Sequence, residues 1–453
     1  MNAEVVVLGM GPGGEEAATR LAKSGLDVVG VEKELLGGEC PYWACVPTKM
    51  MVRAADALAE GRRINELAGR ATVETSWDPV ARRIRDDATA NWHDDDAVRR
   101  FEATGGRFVR GNGRLDGPTR VVVDDEAIEV SKAIVVATGT RPRIPAIDGL
   151  EGVDYWTNRG AVSAAELPKS LVVVGGGAVG CEFSQMFARF GSRVTLLEGE
   201  AHLLPSEETE ACQLLHGVFH ADGIDVRPEQ AAIACAAGGD GVVVTLRSGA
   251  TVSAERMLIA TGRRADLSAI ATSTIGVDES ERWIPVDDHL RVKAAPGVWA
   301  IGDIVGGGFT HMSIHHARIA ADDILGKPVP GTSDRAKPRV TFTDPEIGAV
   351  GLTERQARAK GVDVRLGVAQ IPSSARGWIH KVGNEGFIKL IEDGDRGVLV
   401  GATSMGPDGG EVLSMLTLAI HGQVPTNELR RMIYAYPTFH RAVEDALIDL
   451  AGD

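Results

Sequence analysis

A short apolar run, a turn spelled G-x-G-x-x-G, an amphipathic stretch, a second apolar run and a terminal acid occur in that order twice in this chain. The first copy is Glu4–Leu8, then Gly9, Gly11 and Gly14, then Glu15–Ser24, then Asp27–Val31 ending in Glu32. The second is Leu171–Val174, then Gly175, Gly177 and Gly180, then Cys181–Phe190, then Arg193–Leu197 ending in Glu198. Few folds satisfy that order. Strand, tight turn, helix and parallel strand place a helix N-terminus where a pyrophosphate can sit, the glycines let the backbone come close, and the acid takes the ribose hydroxyls. The flanking strand and helix separate this pattern from an ordinary Gly-rich turn. The expected class is α/β with two Rossmann-like dinucleotide-binding domains. Glu198 repels a 2′-phosphate, and Gly199–Leu204 carry no Arg, which favours NADH. A cation from another loop leaves NADPH open.

Directly after the first copy comes Gly37–Lys49, G-G-E-C-P-Y-W-A-C-V-P-T-K. Cys40 and Cys45 can close and open as a disulfide, passing two electrons per cycle. Cys45 lies at the start of a helix-like run through Met50–Glu60, and both the helix N-terminus and Lys49 favour its thiolate. The competing readings are two core cysteines or a metal site, but the region has no second Cys/His pair at zinc-ligand spacing. Pro41-Tyr42-Trp43 between the thiols reads as core packing or as a narrowed aromatic surface. Cys181, Cys212 and Cys235 have no motif around them and read as small buried residues.

At 453 residues the chain needs several cores. A hydrophobic content of 44% with 25% charged residues is globular, and the formal net charge of -15 speaks against nucleic acid as a partner. No apolar run reaches membrane-span length. An early strand in place of a signal peptide points to the cytoplasm and to a catalytic rather than structural disulfide. Pro79–Thr104 reads as one long polar helix. Short β-like runs follow at Arg107–Val109, Thr119–Val123 and Ile128–Val130, then a buried strand from Ala133 ends in Ala-Thr138-Gly139. Thr140–Gly149 reads as an extended crossing. Met257–Arg264 echoes the A-T-G strand through Gly262, so Glu151–Asp266 looks inserted into the first domain. Val298–Asp303 ends in Gly302-Asp303, where Asp303 is either a hydroxyl ligand or a turn residue. From Pro338 onward strands and helices make an α+β unit with no cofactor motif, a plausible dimerisation module.

Together these residues resemble the class I flavoprotein disulfide reductases, over essentially the whole chain. The resemblance rests on both fingerprints, the G-G-x-C-x4-C-x-P-[ST]-K stretch, the two A-T-G strands, Gly302-Asp303 and Thr343–Thr353. It implies FAD on Gly9, Gly11, Gly14, Glu32, Gly38, Lys49, Thr138, Gly139, Gly302 and Asp303, and NAD on Gly175, Gly177, Gly180, Glu198 and Gly262. Domain bounds follow: FAD-binding 1–150 and 267–335, NAD(P)-binding 151–266, dimerisation 336–453. Cys45 is expected beside the flavin, Cys40 at the acceptor, and Lys49 near flavin N5 held by Glu182. A homodimer is implied, the tail of one subunit completing the partner's site. Two departures stand out. The family's acid–base histidine is replaced by Tyr436 and its orienting glutamate by Arg441, leaving His440 or Tyr436 as candidate substitutes. A phenol is a poor base at neutral pH, and His440 sits about a turn into a helix if Pro437 begins one. The second departure is Pro41-Tyr42-Trp43. The function expected is NAD(P)H oxidation through FAD and the Cys40–Cys45 disulfide to a small-molecule acceptor. The alternatives are direct flavin transfer to a quinone or other electrophile, and dithiol-dependent carbon chemistry.

Overall fold

The computed structural model describes residues 1–239 and 241–452. The chain divides into two compact units. One comprises Met1–Thr48, Arg82–Arg143 and Gly262–Ser333; the other Lys49–Ala81, Ile144–Thr261 and Asp334 to the C-terminus.

The first unit is built on a seven-stranded sheet. Its central strand Asn2–Leu8 pairs in parallel with Val28–Glu32 on one side and Glu126–Val136 on the other. Every residue from Val5 to Leu8 is buried, as a strand covered on both faces requires. Glu126–Val136 changes partners along its length: its first half is antiparallel to Arg120–Val123, its second half parallel to Val298–Ala300. The late strand thus joins the early sheet, and helices Pro12–Lys23 and Thr310–Ile324 belong to the core beneath it.

The second unit holds a four-stranded parallel sheet in the order Asp225–Arg227, Arg193–Leu197, Ser170–Val174, Arg256–Ile259. It also holds a three-stranded antiparallel meander and a five-stranded antiparallel sheet formed from residue 338 onward. Helices Gly409–His421 and Ala442–Ala451 supply the apolar face that covers the five-stranded sheet. Among the described residues no helix is long and apolar enough to cross a membrane.

The segment Pro79–Thr104 is not one helix. It breaks into Asp78–Arg83, a π-helical turn Ile84–Ala88 and Asp95–Glu102. Between the last two, Ala90, Asn91 and Trp92 have φ of 48°, 57° and 56°. Left-handed backbone at three successive non-glycine residues ends any right-handed helix.

Candidate active site

The two fingerprints repeat each other contact for contact. Gly9 and Gly175 have φ of 93° and 112°, and a Cβ there would lie 2.6 Å and 2.5 Å from the carbonyl oxygens of Ala137 and Ala260. A Cβ on Gly14 or Gly180 would lie 1.9 Å or 1.8 Å from the carbonyl of the turn's first glycine. Gly11 and Gly177 are different: each is the N-cap of its helix, and a Cβ there would meet nothing within 4 Å. That open space at a helix N-terminus is the cradle a pyrophosphate needs. Glu32 accepts from the Met10 amide at 2.9 Å and the Glu34 amide at 2.9 Å; Glu198 accepts from Gly176 at 2.6 Å and Glu200 at 2.8 Å. Both acids are therefore pinned at the strand end beside the glycine turn. The residues present fit two dinucleotides.

Gly38 packs against the first cradle. Its φ is 64°, and a Cβ there would lie 2.9 Å from the Gly11 Cα. Thr138 also borders it, its Cα 2.7 Å from where a Gly9 Cβ would stand. Gly139 and Gly262 both have positive φ beside open space. Asp303 opens a 3-10 turn and accepts from Thr140 Oγ1 at 3.2 Å. Gly302 donates its amide to His316 Nδ1 at 3.3 Å. Arg263, which sequence reasoning passed over, donates to the Thr140 carbonyl at 2.6 Å and hydroxyl at 2.8 Å.

Cys40 and Cys45 are both present as thiols, and both are half-buried. Their mutual hydrogen bond, then burial, hold the Cys40 thiol far above its ordinary pKa, while the Thr310 hydroxyl draws it down. Thr310 Oγ1 lies 3.2 Å from Cys45 Sγ. Thr310 begins the helix Thr310–Ile324 and carried no sequence signal. Cys45 itself opens the helix Cys45–Leu67, longer than the Met50–Glu60 run expected. Tyr42 is buried, and Trp43 stacks on Trp92 with ring centroids 5.3 Å apart, so the inter-cysteine residues do pack.

Lys49 lies one turn along the same helix. Its Nζ donates to Glu182 Oε2 at 2.5 Å and stands 4.3 Å from the centre of the Phe342 ring. Glu182 Oε1 accepts from the Phe342 amide at 2.9 Å, so both carboxylate oxygens are engaged.

At the C-terminal end the candidates separate. Tyr436 is 70% exposed, with the Arg441 guanidinium 5.7 Å from its ring centre. Arg441 in turn pairs with Glu444 at 3.2 Å and Asp445 at 3.0 Å. His440 sits in the 3-10 turn Phe439–Arg441, ahead of the helix that starts at Ala442. Its ring is 5.2 Å from that of Tyr434, and burial lowers its pKa. Elsewhere Glu208, Glu210 and Glu354 converge as metal ligands would. Lys389 Nζ already fills that centre, at 2.9, 2.7 and 2.9 Å from them.

Residues 3–323 match the family model for pyridine nucleotide-disulphide oxidoreductases, and residues 337–447 match that family's dimerisation domain. The chain belongs to this family. It is 33% identical to dihydrolipoyl dehydrogenase of Chlorobaculum tepidum over 98% of this chain and 96% of the relative. It is 31% identical to mercuric reductase of Streptomyces lividans over 99% and 96%. Similar solved structures include the HOCl-induced flavoprotein disulfide reductase RclA of Escherichia coli, at TM-score 0.85 and 26% identity over 98% of this chain and 99% of that one. LpdA of Mycobacterium tuberculosis superimposes at TM-score 0.87 with 26% identity over 98% of each chain. RclA has also been solved as a Cu(II) complex. The family's enzymes are FAD-dependent, take electrons from NAD(P)H and act on sulfur groups, as expected from the two cradles and the cysteine pair.

Proposed function

We propose that the protein is an NADH-dependent disulfide reductase in which Cys40 and Cys45 carry the electrons to a small disulfide. The observation that carries this reading is the Cys40–Cys45 contact, with Thr310 within reach of both sulfurs. FAD bound on Gly9–Gly14, Gly38, Thr138, Gly139, Gly302 and Asp303 supplies two-electron exchange between the nicotinamide and the dithiol. Cys45 lies at a helix N-terminus, which favours its thiolate, and Cys40 is the thiol left for the acceptor. Once ionised in turn, Cys40 attacks one sulfur of the acceptor and displaces the other as thiolate. Cys45 then attacks Cys40, releases the second thiolate and restores the disulfide; two electrons leave and two thiolates take up protons. Lys49, held by Glu182, would by the family resemblance stand near flavin N5, where its positive charge would favour the reduced form of the bound cofactor.

The preference for NADH rests on Glu198, whose pinned carboxylate repels a 2′-phosphate. We place domain limits near residues 150, 266 and 335; the last falls in the gap between the two family matches, whereas the compact units group Lys49–Ala81 and the segment from Asp334 with Ile144–Thr261. A homodimer accords with the dimerisation-domain match and with Ile433, Trp378, Tyr436 and Leu418, apolar or aromatic side chains that are 66% exposed or more.

One observation favours a second reading. Tyr436 takes the acid–base position and is paired with Arg441, not with a carboxylate. An acceptor that releases no thiolate needs no acid there, and a quinone or a soft metal ion is such an acceptor. Turnover of Cys40→Ser separates the two. Loss with every acceptor supports dithiol chemistry, and retained quinone reduction supports direct flavin transfer.

A further inference from the structure

Two helices of the second unit are joined by a ladder of charges. On Cys45–Leu67, Lys49, Asp56 and Arg63 recur at every seventh residue and so share one face. On Ala178–Phe190, Glu182, Gln185 and Arg189 share another. The first rung is Lys49–Glu182 at 2.5 Å. The second is Arg189 Nη1 donating to Asp56 Oδ1 at 2.8 Å. The third is Asp344 Oδ2, which accepts from Arg63 and from Arg189, each at 2.7 Å. Arg189 is 4% exposed and also reaches Asp222 at 3.3 Å. Gln185 donates to the Asp344 carbonyl at 2.8 Å and accepts from the Asp344 amide at 2.8 Å. The Phe342 amide closes the top on Glu182. The loop that carries the Phe342 ring under the Lys49 ammonium is therefore stitched to the Glu182 helix at both ends.

We propose that Asp56, Arg189 and Asp344 are positioning residues that fix the register between the two helices and so hold the Lys49–Glu182 rung in place. The consequence for catalysis rests on the reading that Lys49 stands beside the flavin. A lysine on a long flexible stem keeps one position only if its partner is itself fixed. Glu182 is fixed by the loop, and the loop by Arg189 and Gln185. The charge signs along the two helices oppose rung by rung, so a slip of two turns, seven residues, would set Lys49 against Arg189 or Asp56 against Glu182.

The ladder also responds to pH at one rung. Burial raises Asp56 to about 6; Arg189 and Arg63 pull it down, while Asp344 and Glu346 push it up. In mild acid Asp56 loses its charge, and Arg189 keeps only Asp222 and Asp344. The expected result is a fall in the rate of flavin reduction by NADH as pH drops through about 6. A fall of about fivefold is what about 1 kcal/mol added to the barrier produces. Asp56→Asn should sit on the low plateau with no limb near pH 6, and Asp56→Glu should restore a limb. A readout independent of turnover is a double-mutant cycle on the urea midpoint of the FAD-loaded enzyme, combining Asp56→Asn with Glu182→Gln. Non-additive midpoints are expected, because the rungs share the Phe342–Asp344 loop. Additive midpoints, or a limb that persists unchanged in Asp56→Asn, would overturn the proposal. Non-additive midpoints together with a wild-type reduction rate in Lys49→Met would leave the ladder standing and remove Lys49 from the flavin.

Discussion

Replacing Gly177 by alanine separates what the second cradle does for the fold from what it does for a ligand. Gly177 has φ −73° and ψ −179°, backbone any residue adopts, and its Cβ would meet nothing within 4 Å. The folded chain should accept the methyl, and loss of unfolded-state freedom should leave stability unchanged or higher by about 0.4–1 kcal/mol. The methyl would stand where pyrophosphate oxygens approach the helix N-terminus. Losing one charge-assisted hydrogen bond there costs about 1.5–3 kcal/mol, a factor of roughly ten to one hundred and fifty in NADH affinity. Gly180→Ala is the control. Its Cβ would lie 1.8 Å from the Gly175 carbonyl oxygen, so the backbone must move. Overpacking of that kind costs about 1–3 kcal/mol or more. Steady-state KM for NADH, kcat, flavin content and Tm read all of this. Gly177→Ala should raise KM with Tm and flavin intact; Gly180→Ala should lower Tm. A wild-type KM in Gly177→Ala would refute the placement of the pyrophosphate.

Tyr436→His restores an imidazole at the acid–base position. If protonation of the leaving thiolate limits turnover, lipoamide reduction should rise by up to about 10²–10⁴-fold; no rise means position 436 is not limiting. Lys389→Met leaves Glu208, Glu210 and Glu354 facing one another around a 2% exposed centre. Breaking such a buried cluster should cost about 3 kcal/mol in urea unfolding, and a wild-type midpoint would contradict the role of the ammonium. Asp56 is held above its ordinary 3.8 at about 6 when folded, so the folded state binds its proton more tightly. Its contribution to stability is fully present below about pH 4 and lost as pH rises through 6. Asp56→Asn should flatten that part of the stability–pH curve, and an unchanged slope between pH 4 and 6 would contradict the assignment.

The fingerprints were legible because their chemistry is local. Each glycine answers to a contact within its own strand–turn–helix unit, as Gly14 does to the Gly9 carbonyl. The Cys40–Cys45 pair was legible for the same reason. Lys49–Glu182 came only through resemblance, since no spacing rule links residues so far apart in sequence. Thr310 was missed because a hydroxyl at a helix start carries no mark of the sulfur it faces. The polar segment from Pro79 read as one helix because its break uses no glycine or proline: Ala90, Asn91 and Trp92 take the left-handed conformation, which only Asn91 of the three favours. The strand Glu126–Val136 read as two runs because it changes partners midway. His440 looked like a residue one turn into a helix that began at Pro437, but a 3-10 turn intervenes and aims its ring at Tyr434.

The central claim is that electrons pass through the Cys40–Cys45 pair. An anaerobic titration of the FAD-loaded protein with NADH, followed by visible absorbance, tests it most directly. After two electrons a long-wavelength band should appear, from the Cys45 thiolate against oxidised flavin, and Cys45→Ser should abolish it. Bleaching of the flavin with no such band would mean that the thiols are bypassed, and would contradict the account.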